Sequence, residues 1–233
     1  MFTKAADYYD LIYGFKNYEK EAQQIMSLIA QERPLAKTIL DVACGTGEHA
    51  KYLSKTYLVD GIDSEPKFVE IAQSKVPSGK FSVADMSNFD LDVRYDVIQC
   101  LFSSIGYLKQ AELVVGALLC FKRHLNPDGV IIVEPWFSPD QWKVGIPHMV
   151  TVDRPDLKIC RINTSGLEGA LSKLHFHYLI GTPEGVQHFT EDHELALYSN
   201  EEMLSFFKQA GLAVRHDPEG IFGRGLYIAN VEL

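Results

Sequence analysis

The run Thr38-Ile-Leu-Asp-Val-Ala-Cys-Gly-Thr-Gly47 constrains the fold more than any other stretch of this 233-residue chain. Thr38, Ile39, Leu40 and Val42 make a short, β-prone apolar run of the kind that becomes a buried strand. Gly45 and Gly47 then remove side chains where the backbone turns tightly and a ligand can approach it. The residues behind the turn predict a helix from about Glu48 to Lys55. A strand, a glycine turn and a helix in immediate succession are the first unit of an open α/β sheet. Asp41 narrows the ligand: a carboxylate beside the turn repels a phosphate and suits a group that carries a cation.

Three readings of the turn stand side by side. Gly45-Thr-Gly-Glu-His-Ala50 fits the dinucleotide fingerprint G-x-G-x-x-G/A, with Asp63 near the distance at which an acidic residue grips a ribose. The turn also fits a cationic ligand held by Asp41, and it fits plain strand-to-helix packing. A short-chain dehydrogenase would further need Tyr-x-x-x-Lys, and none of the eleven tyrosines has a lysine four residues on.

Apolar runs and helical periods alternate through the first two-thirds of the chain, the pattern of a parallel sheet covered on both faces. The expected order is a helix over Tyr18–Gln31, strand Lys37–Val42, the helix from Glu48, strand Tyr57–Ile62 ending at Asp63, and a helix opened by Glu65 and Pro66. Strand Lys80–Val83 leads to Asp85-Met86, and strand Tyr95–Leu101 leads to Phe102-Ser-Ser-Ile-Gly106. A helix over about Ala111–Leu125 and a turn at Asn126-Pro-Asp-Gly129 precede strand Val130–Val133. From about His148 to Tyr198 the alternation Leu174, Phe176, Tyr178, Ile180 predicts antiparallel strands, turned at Thr182-Pro-Glu-Gly185. A helix over Ser199–Ala210, capped by Ser199 or Asn200 with Glu202 beyond, precedes strands Leu212–His216 and Leu226–Val231. The expected fold class is α/β, a doubly wound Rossmann-like sheet. Residues 1–147 would form the cofactor-binding core, 148–198 an antiparallel β insertion over the active site, and 199–233 the helix and strand pair completing the core.

The net charge of −9 argues against a nucleic-acid surface, which would need an excess of Lys and Arg. With 46% hydrophobic and 23% charged residues the chain reads as an ordinary soluble globule. Cys44, Cys100, Cys120 and Cys160 form no C-x-x-C pair and read as reduced thiols of a cytoplasmic protein. Lys4, Asp7 and Asp10 near the start are unlike a signal peptide, and the apolar run Leu113 to Phe121 is too short to span a membrane. A homodimer is admitted by this composition, not required by it.

Ligands of open α/β sheets bind at the carboxyl ends of the strands. That rule selects Asp41 to Gly47, Asp63, Asp85-Met86, Leu101 to Tyr107 and Glu134 to Trp142. His124 falls at the opposite edge and reads as a helix C-terminal residue meeting the dipole. Three acidic strand ends in succession favour an adenosyl ligand over a dinucleotide: Asp63 can take both ribose hydroxyls, Asp85 the adenine amine, and Met86 can cover the ring. Arg224, between Gly223 and Gly225, suits a phosphate or diphosphate, with Arg161 as a second candidate. Trp136 and Trp142 follow a strand end and are placed to stack on a base or a sugar. His175 and His177 share a strand face at a spacing that can bind metal, with His188 and His193 nearby. A polar outer face accounts for them better, and no metal is expected. The Ser103-Ser104 pair lacks the Gly-x-Ser-x-Gly turn of a hydrolase.

Asp41-Val-Ala-Cys-Gly-Thr-Gly47 resembles the cofactor loop of class I methyltransferases, with Ala43 at the first glycine of that family's pattern. Phe102-Ser-Ser-Ile-Gly-Tyr-Leu108, Val133-Glu-Pro-Trp-Phe137, His177-Tyr-Leu, His188-Phe with His193, and Gly223-Arg-Gly-Leu226 resemble the bacterial N,N-dimethyltransferases of nucleotide-linked amino sugars. So does the start Tyr9-Asp-Leu-Ile-Tyr13. The resemblance covers nearly the whole chain and departs at Gly14-Phe-Lys-Asn17. It implies S-adenosylmethionine as cofactor, with Lys20, Asp41, Ala43, Gly45, Gly47, Asp63, Asp85, Met86 and Leu101 on its side of the site. It implies a dTDP-3-amino sugar as the small-molecule partner, with Trp136, Trp142, Arg161 and Arg224 on the substrate side and Arg224 toward the nucleotide. Tyr13 is expected near the amine, with Tyr107 and His177 behind it as catalytic candidates. Transfer to another small amine or hydroxyl, and a non-catalytic cofactor- or nucleotide-binding module, are the rival readings.

Overall fold

The structure is a computed structural model and describes residues 5–221 and 223–231. A short 3-10 turn, Ala6–Tyr8, leads into α1 (Tyr9–Ile12) and α2 (Tyr18–Glu32). Then follow β1 (Thr38–Val42), α3 (Glu48–Leu53), β2 (Leu58–Asp63), α4 (Pro66–Lys75), β3 (Phe81–Val83) and β4 (Tyr95–Cys100). A 3-10 turn at Ser104–Tyr107 precedes α5 (Ala111–Arg123) and β5 (Leu125–Val133). Four consecutive strands follow: β6 (Pro147–Arg154), β7 (Leu157–Glu168), β8 (Leu171–Thr182) and β9 (Gly185–Ala196). The remaining elements are α6 (Asn200–Gln209), β10 (Leu212–Asp217) and β11 (Leu226–Val231).

Among the described residues the strands form two sheets, one of seven strands in the order β10-β11-β5-β4-β1-β2-β3 and one of four in the order β6-β7-β8-β9. In the large sheet β1 to β5 run parallel, while β11 is antiparallel to both β5 and β10. The strand order reverses at β1 and β4, the switch point where such sheets open a crevice for ligands. Ile39, Leu40, Val42, Val97 and Ile98 are fully buried, as central parallel strands require when helices cover both faces. On one face Val114, Leu118 and Phe121 of α5 and Met203, Phe206 and Phe207 of α6 close the core. On the other, Ala22, Ile25 and Ile29 of α2 pack with Ala50 and Leu53 of α3.

Local signals explain the helix starts. Asn17 accepts the Lys20 N–H, Glu65 accepts the Lys67 N–H ahead of Pro66, and Ser199 and Glu202 form a reciprocal capping box. At Asn126–Gly129 the expected turn is instead part of β5, whose register against β4 shifts between Tyr95 and Val97. Pro127, which has no N–H to donate, sits within that irregularity. His124 closes α5 through both ring nitrogens: Nδ1 lies 2.7 Å from the Cys120 carbonyl oxygen and Nε2 accepts the Leu91 N–H at 3.0 Å. The ring satisfies the helix end by a hydrogen bond to the Cys120 carbonyl.

The small sheet is antiparallel, and a tight turn joins β8 to β9 where Thr182 pairs with Gly185. Its strands have two unlike faces. Phe176, Tyr178 and Ile180 point inward and cluster with Ile159, Ile12 and Tyr13, while His175, His177 and Leu179 are exposed. The segment around α1 is thus packed into the sheet's inner face. None of the described helices is long and apolar enough to cross a membrane.

Candidate active site

A cavity of about 460 Å³ is lined by the strand ends of the large sheet on one side and by the inner face of the small sheet on the other. That volume lies in the range of sites that enclose small ligands. Ala43, Gly45, Asp63, Met86 and Phe102 come from the first side, and Arg161, Phe176 and His193 from the second.

The loop after β1 is held in the left-handed region at Ala43, Gly45 and Gly47, with φ of 56°, 55° and 77°. At Ala43 that conformation costs an L-residue roughly 1–2 kcal/mol, the physical penalty of replacing a glycine there. A Cβ built at Gly45 meets nothing within 4 Å, so its absence leaves open space on the cavity wall. Asp63 ties this loop to β2: Oδ2 accepts the Gly45 N–H at 2.8 Å and Oδ1 accepts the Glu65 N–H at 2.9 Å. Burial raises its pKa, and these bonds oppose the rise. The carboxylate keeps acceptor capacity on the cavity side.

The other expected cofactor residues fall in different places. Met86 lines the cavity. Asp85 is exposed and accepts the Ser87 N–H and hydroxyl, both at 2.8 Å, so it shapes the turn that presents Met86. Gly47 and Leu101 support from behind: Gly47 abuts Ala72 of α4, and Leu101 belongs to the buried core. Asp41 is buried and absent from the cavity lining, and burial pushes its pKa to about 6 against the lowering effect of His49 and Gln99. It neighbours a buried charged set in which Glu21 accepts from His49 at 2.8 Å and pairs with Lys16 at 3.1 Å. Lys20 is exposed on the first turn of α2, away from the cavity lining.

Of the residues expected near the acceptor, Tyr13 and Tyr107 both line the cavity. The Arg161 guanidinium donates to the Tyr13 hydroxyl at 2.9 Å and lies over the Tyr13 and Phe176 rings at 5.0 and 4.7 Å. Arg161 is therefore buried in the cavity lining. Burial raises the Tyr13 pKa, and Arg161 moderates the rise. Arg224 is also held inward, 3.3 Å from the fully buried Glu134, whose other oxygen accepts the Phe102 N–H at 2.7 Å. The flanking glycines therefore turn Arg224 into the cavity wall; they do not display it to solvent. Trp136 and Trp142 line the mouth with ring centroids 5.7 Å apart, their indole N–H groups donating to the Ser172 hydroxyl and the Gly166 carbonyl.

His177 is the clear correction. It stands on the outer face of β8, stacked on His188 with ring centroids 5.5 Å apart, because the apolar alternates Phe176 and Tyr178 take the inner face. The histidine that does line the cavity is His193 of β9, whose Nδ1 lies 2.8 Å from the Tyr107 hydroxyl. Phe102 lines the cavity and Glu134 supports it from behind through the Phe102 N–H, both within the strand ends the carboxyl-edge rule selects, while Phe68 of α4 joins the lining with no local pattern to announce it. Phe102 and Ser103, at φ of 52° and 63°, mark the bend that turns β4 into the site. Among the described residues no group of three or more His, Cys, Asp or Glu is placed to hold a metal ion.

A side-chain-free approach at Gly45, an acceptor carboxylate at Asp63 and an apolar cover at Met86 fit an adenosyl group. A methyltransferase-domain model matches residues 39–129, and the fold and site define a class I S-adenosylmethionine-dependent methyltransferase. The dTDP-3-amino-3,6-dideoxy-alpha-D-glucopyranose N,N-dimethyltransferase of Streptomyces fradiae is 37% identical over 227 residues, 95% of this chain and 89% of that protein. The dTDP-3-amino-3,4,6-trideoxy-alpha-D-glucopyranose N,N-dimethyltransferase of Streptomyces venezuelae is 34% identical, with 96% of each chain covered. The crystal structure of Streptomyces venezuelae DesVI superposes with a TM-score of 0.93 at 33% identity over 99% of both chains. The chain belongs to the family of bacterial dTDP-amino-sugar N,N-dimethyltransferases.

Proposed function

We propose that this methyltransferase acts on the amino group of a dTDP-linked amino sugar. The observation that carries the proposal is the extent of the likeness. The match with the Streptomyces fradiae enzyme covers 95% of this chain, so it takes in the small sheet that roofs the acceptor end as well as the cofactor fold. The cavity has matching chemistry, with guanidinium groups at Arg161 and Arg224 for an anionic end and aromatic faces at Trp136 and Trp142 for a base or sugar.

S-adenosylmethionine supplies the methyl group as a sulfonium electrophile. On the protein's side, Asp63 and Gly45 would hold the adenosyl part, with Met86 over the ring. Tyr13 and Tyr107 would orient the amine, and the aromatic walls would exclude water. An amine with a Lys-like pKa of about 10.4 must lose its proton before it attacks, which costs about 4.6 kcal/mol at pH 7. The buried Arg161 guanidinium beside Tyr13 disfavours a second cation there and so lowers that cost. Positioning supplies the larger share, since well-oriented reactants gain roughly 7–11 kcal/mol.

Mass spectrometry of reactions with S-adenosylmethionine and a panel of dTDP-3-amino and dTDP-4-amino sugars tests the assignment. Methylated sugar and S-adenosylhomocysteine should appear together. Turnover of a simple amine or hydroxyl metabolite with none of the nucleotide sugars would overturn the acceptor class and leave the cofactor residues in place.

A further inference from the structure

His193 is buried where a transferase of amines has use for a proton acceptor. The ring is 1% exposed yet lines the cavity. Its Nδ1 lies 2.8 Å from the Tyr107 hydroxyl, and its Nε2 faces Glu191 Oε2 at 3.8 Å. Glu191 is buried and held in place, its Oε1 accepting the Ala5 N–H at 3.1 Å. Among the described residues, the titratable and charged groups facing the ring are Tyr107 from the turn after β4, Glu191 from β9 itself and Arg161 from β7, while β8 presents the apolar Phe176 at 5.1 Å. Burial keeps the imidazole below its ordinary pKa, so it is neutral at pH 7 and has one bare nitrogen. Burial also raises the Tyr107 pKa, so the phenol keeps its proton and can donate it.

We propose that His193 receives the amine proton through the Tyr107 hydroxyl, with Glu191 stabilising the imidazolium that results. The proposal rests on the amino-sugar reading above. An acceptor ammonium seated at the Tyr107 oxygen gives that oxygen one N–H proton while the phenol proton passes to His193 Nδ1. The O–H broken is replaced by the O–H formed, so the phenol is regenerated. The amine keeps the electron pair of its broken N–H bond, and the charge now sits on the imidazole beside Glu191. His193 returns the proton to solvent between rounds. The first methylation leaves a new ammonium, so a second methylation uses the same route. His193 is a positioning residue in this scheme, since it acts through Tyr107.

The test pairs kinetics with a measurement that needs no acceptor. With a dTDP-3-amino sugar, His193→Gln and Tyr107→Phe should each lower kcat at pH 7 by about 100-fold, the low end of general-base contributions, with KM within about twofold. The loss should shrink toward pH 9 as solvent takes the proton instead. In the free wild-type protein, nitrogen NMR of the histidine ring should show a bare Nδ1 and a protonated Nε2 at pH 7. A pH-independent loss, or wild-type kcat in both variants, overturns the relay. So does a protonated Nδ1 in the spectrum, whatever the activity. If wild-type protein methylates no nucleotide amino sugar while the spectrum is as expected, the acceptor assignment falls and takes the relay with it. If wild-type protein turns the sugar over and the variants match it, only the relay falls.

Discussion

A Cβ added at Gly45 would enter open space on the cavity wall, whereas one at Gly47 would lie 3.0 Å from the Ala72 Cβ of α4. Both positions have positive φ, so alanine at either costs roughly 1–2 kcal/mol of strain. Their remaining effects should separate. Gly45→Ala should weaken S-adenosylhomocysteine binding at least tenfold by calorimetry. Gly47→Ala should lose more stability in a melt and leave the affinity of the folded protein near wild type. The residue types of this loop are legible in the sequence, but the division of labour is not, because it depends on where α4 packs. Asp41 makes the same point. Its acidic type is visible, yet its burial behind the loop is not. Its native pKa of about 6 exceeds the unfolded value of about 3.9. Between those values the native state binds more protons, so stability falls as pH rises from about 4 to 6. Asp41→Asn should therefore match wild type near pH 4 and exceed it at pH 7 by up to about 3 kcal/mol, read from denaturant titrations at both pH values. Arg224 carries a structural duty beside any substrate contact. Arg224→Ala strands the fully buried Glu134, a loss of about 3–5 kcal/mol, which Glu134→Gln in the same chain should largely restore. A rise in KM for the nucleotide sugar that persists in the double variant would then report the anion contact alone.

Elements with a strong local signature are the ones the sequence announces. The capping box of α6 is written in Ser199 and Glu202, and Ser199→Ala should lower stability by about 1 kcal/mol in a thermal melt with no change in cofactor affinity. Strand β8 is equally visible through its alternation, but a period of two defines a pair of faces without saying which one meets the cleft. His177 stands outside the cleft on that account: the apolar alternates of β8 are drawn inward against Ile12 and Tyr13, and His175 and His177 are left outside. Arg161 escapes the usual outward orientation because Tyr13 and Phe176 give its guanidinium a hydrogen bond and two ring faces. In β5 the Asn126-Pro-Asp-Gly129 signal marks an irregularity in the pairing, not a loop. Each of these outcomes depends on partners far away in sequence.

At the scale of the molecule, two sheets share one cavity, and the apolar cluster of Ile12, Tyr13, Phe176 and Tyr178 joins the segment around α1 to the roof. The carboxyl-edge rule makes the floor of this site readable from the chain, because a parallel sheet fixes which strand ends converge. The roof has no such rule, so His193 and Glu191 become visible only when β9 is placed over Tyr107. Because the segment around α1 and Phe102 after β4 pack into the small sheet's apolar face, the chain should unfold in one transition, with near- and far-ultraviolet circular dichroism giving coincident curves. S-adenosylhomocysteine at about 100 times its Kd should stabilise the native state by ~2.7 kcal/mol. For a chain of this size that moves Tm upward by roughly 5–10 °C. If the roof and floor form one cooperative unit, both spectral probes should move together by that amount, although the residues proposed to hold the cofactor lie on the floor. In Asp63→Ala the shift at the same ligand concentration should largely vanish, since the loop tie at Gly45 and the acceptor proposed for the ribose hydroxyls are lost together. A ligand shift seen by one probe and not the other would show that the four-strand sheet folds on its own account and only rests on the methyltransferase core.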